Sequence, residues 1–136
     1  MTDEGFMRRA LELARRAEAE GEVPIGALVV MDGQVVGEGW NRPIAAADPT
    51  AHAEIQAMRA ASARTKNYRL TGAILYVTLE PCDMCVGAMF HARIARTVYG
   101  AKDPKKLVLK NPVELQGGIL AEECGAVLTR FFAAKR

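Results

Sequence analysis

Apolar residues recur at helical spacing over residues 3–20. Phe6, Met7, Ala10, Leu11, Ala14 and Ala17 share one stripe, and Arg8, Arg9, Arg15 and Arg16 fall largely outside it. That period predicts an amphipathic helix, with Gly21 placed to stop it. Residues 25–31 are instead a dense apolar run of strand length. Asp32-Gly33 is a hairpin turn signal, and Gln34–Trp40 reads as the returning strand. Pro43, Asp48 and Pro49 mark residues 41–50 as a loop, after which Asp48-Pro49-Thr50 opens a helix over 51–65. A strand over Ile74–Leu79 is interrupted by Glu80-Pro81. A helix over Asp83–Ala92, a strand over 96–100, a short strand over 113–115 and a closing helix over 119–134 complete the series.

Strands alternating with helices predict an α/β fold, a three-layer α/β/α sandwich whose five-stranded sheet is covered on both faces. The opening hairpin makes that sheet mixed rather than purely parallel. At 136 residues, with no repeat, low-complexity tract or long linker, the chain is expected to form one domain over 1–136. A hydrophobic share of 50% and a charged share of 25% are those of a globular protein. No run approaches the ~20 apolar residues of a membrane span. The start, Met1 to Phe6, carries Asp3 and Glu4 instead of a basic then apolar leader, so a cytoplasmic location is expected and secretion is not.

Charge changes this picture only slightly. The net charge of +2 is too small to define a nucleic-acid partner. From Arg93 to Lys110 there are six basic residues against one acid, Asp103. Such a run suits phosphates and equally suits a solvated face.

Cysteine usage changes it more. Three cysteines, two of them in Cys82-x-x-Cys85, point to metal or redox use in a reducing compartment, not to a disulfide framework. Three residues apart at a helix start, Cys82 and Cys85 project in nearly one direction, and the free N–H groups there favour thiolate. His52 supplies a neutral imidazole. Three protein ligands leave the fourth tetrahedral corner of a zinc ion open, which is the catalytic arrangement. Glu54, two residues from His52, is the candidate to carry protons. A structural clip would need a fourth ligand, and only Cys124 and His91 remain. Cys124 reads better as a buried thiol in a helix, and His91 as a helix cap or polar contact. A redox Cys-x-x-Cys would leave His52-Ala53-Glu54 without a role.

His52-Ala53-Glu54 with Pro81-Cys82-x-x-Cys85 resembles the zinc nucleoside and nucleobase deaminases. Within them, Glu22 to Ala27, Gly37 to Pro43, Asp48 to Ile55, Asn67 to Leu70, Leu75 to Cys82, Tyr99 to Asp103 and Gly118 to Cys124 resemble the bacterial tRNA-specific adenosine deaminases (TadA type). The resemblance covers nearly the whole chain. It implies a cytidine-deaminase-like fold, one Zn²⁺ per subunit on His52, Cys82 and Cys85, and Glu54 as catalytic residue. It also implies hydrolysis of adenosine to inosine at the wobble position of a tRNA anticodon stem-loop, by a homodimer. Candidate substrate-binding residues are Ile25, Asn41, Ala53, Asp103 and Phe132. Lys102, Lys105, Lys106, Lys110, Lys135 and Arg136 are candidates to grip phosphates.

The chain departs from that family over 104–117, where a longer insert is usual. Twelve residues separate Gly100 from Val113, near the minimum for a parallel crossover. The reading is that a clipped crossover survives; the alternative is that the last two strands pair antiparallel. Alternatives for function are a deaminase of free guanine- or cytosine-type bases or nucleosides, and an engineered, minimised adenine deaminase of single-stranded nucleic acid. A zinc-stapled nucleic-acid-binding module is the non-enzyme alternative.

Overall fold

Thr2 starts the first helix: its Oγ1 accepts from Gly5 N at 3.1 Å, and α1 runs Asp3–Ala19. The computed structural model describes residues 1–105 and 113–135. Gly21, at φ +80°, reverses the chain, with Gly21 N donating to Glu18 O and Glu22 N to Ala17 O. This paired closure requires a left-handed residue, which glycine adopts without steric cost. β1 (Gly26–Met31) and β2 (Gln34–Trp40) follow as an antiparallel pair. Asp32 and Gly33 both take positive φ, the hairpin turn whose twist matches its strands.

The remaining elements are α2 (Pro43–Ala46), α3 (Ala53–Thr65), β3 (Ile74–Leu79), α4 (Asp83–Ala92), β4 (Arg96–Ala101), β5 (Leu115–Gln116) and α5 (Ala121–Ala134). The sheet runs β2-β1-β3-β4-β5. β1 is antiparallel to β2 and β3, whereas β3, β4 and β5 are mutually parallel, so the mixed five-stranded sheet is as expected.

Alternation along the strands divides the core. Ala27, Val29, Leu75 and Val77 face α3 and α4, while Leu28, Val30, Tyr76 and Val98 face α1 and α5. Burial on both faces explains why β1 and β3 read as nearly continuous apolar runs. The layers touch most closely along β2. A Cβ on Gly39 would meet Ala53 O at 2.6 Å, and one on Gly37 would meet Ala61 N at 2.5 Å. With alanines at 53, 57 and 61, α3 therefore lies almost backbone to backbone on β2. That contact fixes where the start of α3 emerges.

Four differences from the sequence reading exceed a one-residue shift of an element end. The loop over 41–50 contains the one-turn helix α2, with Pro43 at its first position. α3 begins at Ala53 rather than 51, because His52 is still extended. The last strand is 115–116 rather than 113–115, since Leu115 and Gln116 face Thr97 and Val98 while Val113 turns into the core. The closing helix starts at 121 rather than 119, after Gly118 and Leu120 turn through positive φ. β5 is parallel to β4, which overturns the antiparallel alternative. Lys106, Lys110 and Arg136 lie outside the described residues.

A polar network ties the short last strand to the first helix. Tyr76 Oη donates to Asp3 Oδ1 at 2.6 Å, and the Arg96 guanidinium donates to Asp3 Oδ2 at 2.6 Å and Gln116 Oε1 at 2.7 Å. The Arg96 bond, then that from Tyr76, holds the Asp3 carboxyl below its ordinary range. A depressed carboxyl stabilises the fold above its unfolded pKa and loses that contribution as pH falls through the folded value. Asp3→Asn is therefore expected to cost about 1–2 kcal/mol at pH 7. Urea midpoints should show that difference shrinking below about pH 4, and an equal cost at pH 3 would contradict it.

Candidate functional site

Two helix starts, those of α3 and α4, converge on one point. His52 is the N-cap residue of α3 and Cys82 that of α4, with Cys85 one turn in. Both caps are extended and neither uses its side chain to cap its helix, which leaves imidazole and thiol free for each other. His52 Nδ1 lies 3.5 Å from Cys82 Sγ and 3.6 Å from Cys85 Sγ. The three ligand atoms all fall within 4.8 Å of one another. A tetrahedral zinc with ordinary Zn–N and Zn–S bonds spans an N···S edge of roughly 3.5 Å. The donor set therefore fits that ion in spacing as well as chemistry.

These groups already share their protons. Cys82 is pulled down to about 3 by the hydrogen bond from Cys85, then by His52. Cys85 is pushed far up by the same bond and by burial, and contact with Cys82 raises His52. A dication on the three would displace the remaining protons.

Glu54 is 4% exposed, in the first turn of α3. Burial pushes its carboxyl up to about 7, opposed by hydrogen bonds from its own backbone N–H and from the Cys85 thiol. A buried acid poised there can both take and release a proton near neutral pH.

Among the described residues, His52, Cys82 and Cys85 are the one group of three or more that could hold a metal ion. Cys124 is buried on the opposite face of the sheet, against Gly100. His91 is exposed and does not cap α4, whose end is formed by Arg93 at positive φ. It lines a shallow cleft between α3 and α4 beside Met58 and Tyr68. Neither completes a four-ligand staple.

The other candidates fall into two groups. Asn41, 7% exposed, donates its backbone N–H to Ile25 O at 3.0 Å, and Ala53 is fully buried under β2. Asp103 and Phe132 instead line a cavity of about 430 Å³ with Val23, Leu79, Lys102 and Lys105. Glu80 ties that cavity to the metal loop: its Oε1 accepts from Asp103 N at 3.1 Å, two residues before Cys82. Phe131 is buried, whereas Phe132 is 49% exposed, so only one of the paired rings is free to meet a ligand.

Among the described residues, the basic run does not form one patch. Arg96 opens β4 in the Asp3 network and Lys102 follows its far end, about 20 Å away along the strand. None of the described helices is long and apolar enough to cross a membrane.

Sequence reasoning missed Glu22 and Glu80. Pro43 at a first helical position was a readable signal for α2, but nothing local links it to a carboxylate twenty-one residues earlier.

The family model for the cytidine and deoxycytidylate deaminase zinc-binding region matches residues 1–101, and so the fold and its ligands define a zinc-binding deaminase. The tRNA-specific adenosine deaminase of Haemophilus influenzae is 48% identical over 98% of this chain and 85% of its own length. A solved structure described as a tRNA:A34 deaminase, editing A to I at the wobble position of transfer RNA, superposes with a TM-score of 0.86. It is 41% identical over 91% of this chain and 99% of that one. A guanine deaminase from Bacillus subtilis is 32% identical, with a TM-score of 0.71 over 99% of this chain and 94% of that one. The chain belongs to the tRNA-specific adenosine deaminase family.

Proposed function

We propose that residues 1–136 act as one deaminase domain that hydrolyses adenosine to inosine at the wobble position of a tRNA anticodon loop. The observation that carries this reading is Glu54, a carboxyl buried in the first turn of α3 beside three ligand atoms that lie within 4.8 Å of one another. Zinc, when bound to His52, Cys82 and Cys85, supplies the Lewis acidity that makes water nucleophilic near neutral pH. Glu54 takes a proton from the water that attacks C6 of adenine and delivers it to ring N1. It then passes the second water proton to the departing amino group, which leaves as ammonia. Consuming one water and releasing one ammonia balances the reaction.

Asn41, with a side-chain amide that both donates and accepts, is assigned to the base or sugar, with Ile25 and Ala53 beside it. Asp103 and Phe132 are assigned to a flanking nucleotide, with Lys102, Lys105 and Lys135 on phosphates. An unpaired loop base enters such a site without the cost of opening a duplex. The 48% identity to a tRNA-specific adenosine deaminase, against 32% to a guanine deaminase, favours RNA adenosine over a free base. A cytoplasmic homodimer is part of this reading. Free thiols suit a reducing compartment, and exposed Tyr68 and Phe90 offer apolar surface for a second copy.

The test is one substrate panel: zinc-loaded protein with an anticodon stem-loop, adenosine, guanine and cytosine. Inosine should form in the stem-loop alone. Turnover restricted to a free base removes the RNA reading. Sedimentation of the same sample should give a dimer, and a fully active monomer would reject that part.

A further inference from the structure

Besides Glu54, the described chain has one other buried carboxylate, Glu22, 2% exposed. The reversal at Gly21 turns it inward, where Oε1 accepts from Ile44 N at 3.2 Å and Oε2 from Ala45 N at 2.7 Å. These N–H groups belong to the first turn of α2, whose own N-cap residue, Arg42, makes no side-chain cap. A carboxylate at a helix start satisfies donors that would otherwise be orphaned.

Core packing does not hold this turn, because α2 has no buried residue and Ile44 is 76% exposed. The segment it occupies is nevertheless closed at its neck. Asn41 N donates to Ile25 O and Arg42 N to Ala51 O, so the segment leaves from Asn41 and returns at His52. Asp48 stiffens the return by accepting from Thr50 N at 2.9 Å and Thr50 Oγ1 at 2.8 Å. A buried carboxylate that supports an exposed, unpacked turn contributes little to a core. What it secures is the shape of a rim beside the metal ligands.

We infer that Glu22 is a positioning residue whose carboxylate fixes α2 as a rigid rim between Asn41 and His52, with Ile44 presented to the RNA substrate. This rests on the RNA reading above. Both Glu22 oxygens accept from α2 and neither belongs to the metal-ligand set, so Glu22 acts on substrate engagement rather than on the proton steps.

The test compares Glu22→Gln, Glu22→Ala and Ile44→Ser with the unaltered, zinc-loaded protein on the anticodon stem-loop. In the Glu22 variants, amide exchange at Ile44 and Ala45 should accelerate at least tenfold, and KM should rise by about tenfold with kcat changed less than about threefold. Zinc content should be unchanged. Ile44→Ser should raise KM similarly while leaving amide exchange slow, because the carboxylate clamp is intact. Unchanged KM in Glu22→Gln or in Ile44→Ser overturns the inference. So does loss of zinc or of cooperative unfolding in both Glu22 variants, which would assign Glu22 to the fold. The unaltered protein separates the two levels: if it does not turn over the stem-loop, the RNA reading fails, and if it does while the variants match it, only the role of Glu22 fails.

Discussion

Glu54→Gln is expected to lower kcat by about 10²–10⁴-fold, the usual contribution of a positioned acid–base group, while the protein keeps its zinc. Glutamine preserves the volume and a polar tip but cannot carry a proton between water, N1 and the leaving amino group. Glu54 is not among the three ligand atoms, so metal content should hold. Stability gives an independent sign. A carboxyl raised from its ordinary value to about 7 by burial disfavours the folded state increasingly as pH rises from about 4.5 towards 7. Neutral glutamine removes that cost, so thermal unfolding of the metal-free chain at pH 7 should occur at the same or a higher temperature. Lower activity with undiminished stability is the pattern of a functional group held against its own preference. A kcat within tenfold of the unaltered protein would remove Glu54 from the proton steps.

Cys85→Ala is expected to abolish both zinc binding and turnover. Cys85 is fully buried at the start of α4, and its loss leaves His52 and the half-buried Cys82 as a two-ligand site. Two ligands do not retain zinc against a chelator. Metal analysis after dialysis should fall from about one zinc per chain to nearly none. The unfolding temperature should fall too, because an ion that binds only the folded chain stabilises it. Cys124→Ala is the control. Its thiol packs on the other face of the sheet, so zinc and turnover should persist with only a modest loss of stability. Zinc retained by Cys85→Ala would contradict the ligand assignment.

Much of this architecture was legible because local chemistry and global packing agree. The apolar stripe of α1, the Asp32-Gly33 turn and the runs of β1 and β3 each answer to one period and one core face. The ligands were legible because chemistry restricts them: zinc takes few residue types, and His52, Cys82 and Cys85 occupy the starts of the helices that follow β2 and β3, which are both antiparallel to β1 and so end on the same side of the sheet. Long-range polar ties were not. Glu22 meets Ile44 and Ala45, Glu80 meets Asp103, and Arg96 reaches Asp3 ninety-three residues away. No periodicity encodes such pairs. The split of the basic run had the same cause, because β4 carries Arg96 and Lys102 to opposite ends of one strand. The placement of β5 at 115–116 depended on register against Thr97 and Val98, which a two-residue strand cannot announce.

Zinc-edge absorption on the metal-loaded chain bears most directly on the three-ligand centre. Two sulfur scatterers at about 2.3 Å and two nitrogen or oxygen scatterers at about 2.0–2.1 Å are expected, with only one imidazole among them. Three sulfurs, or a second imidazole closing the fourth position, would contradict a site built to act on substrate.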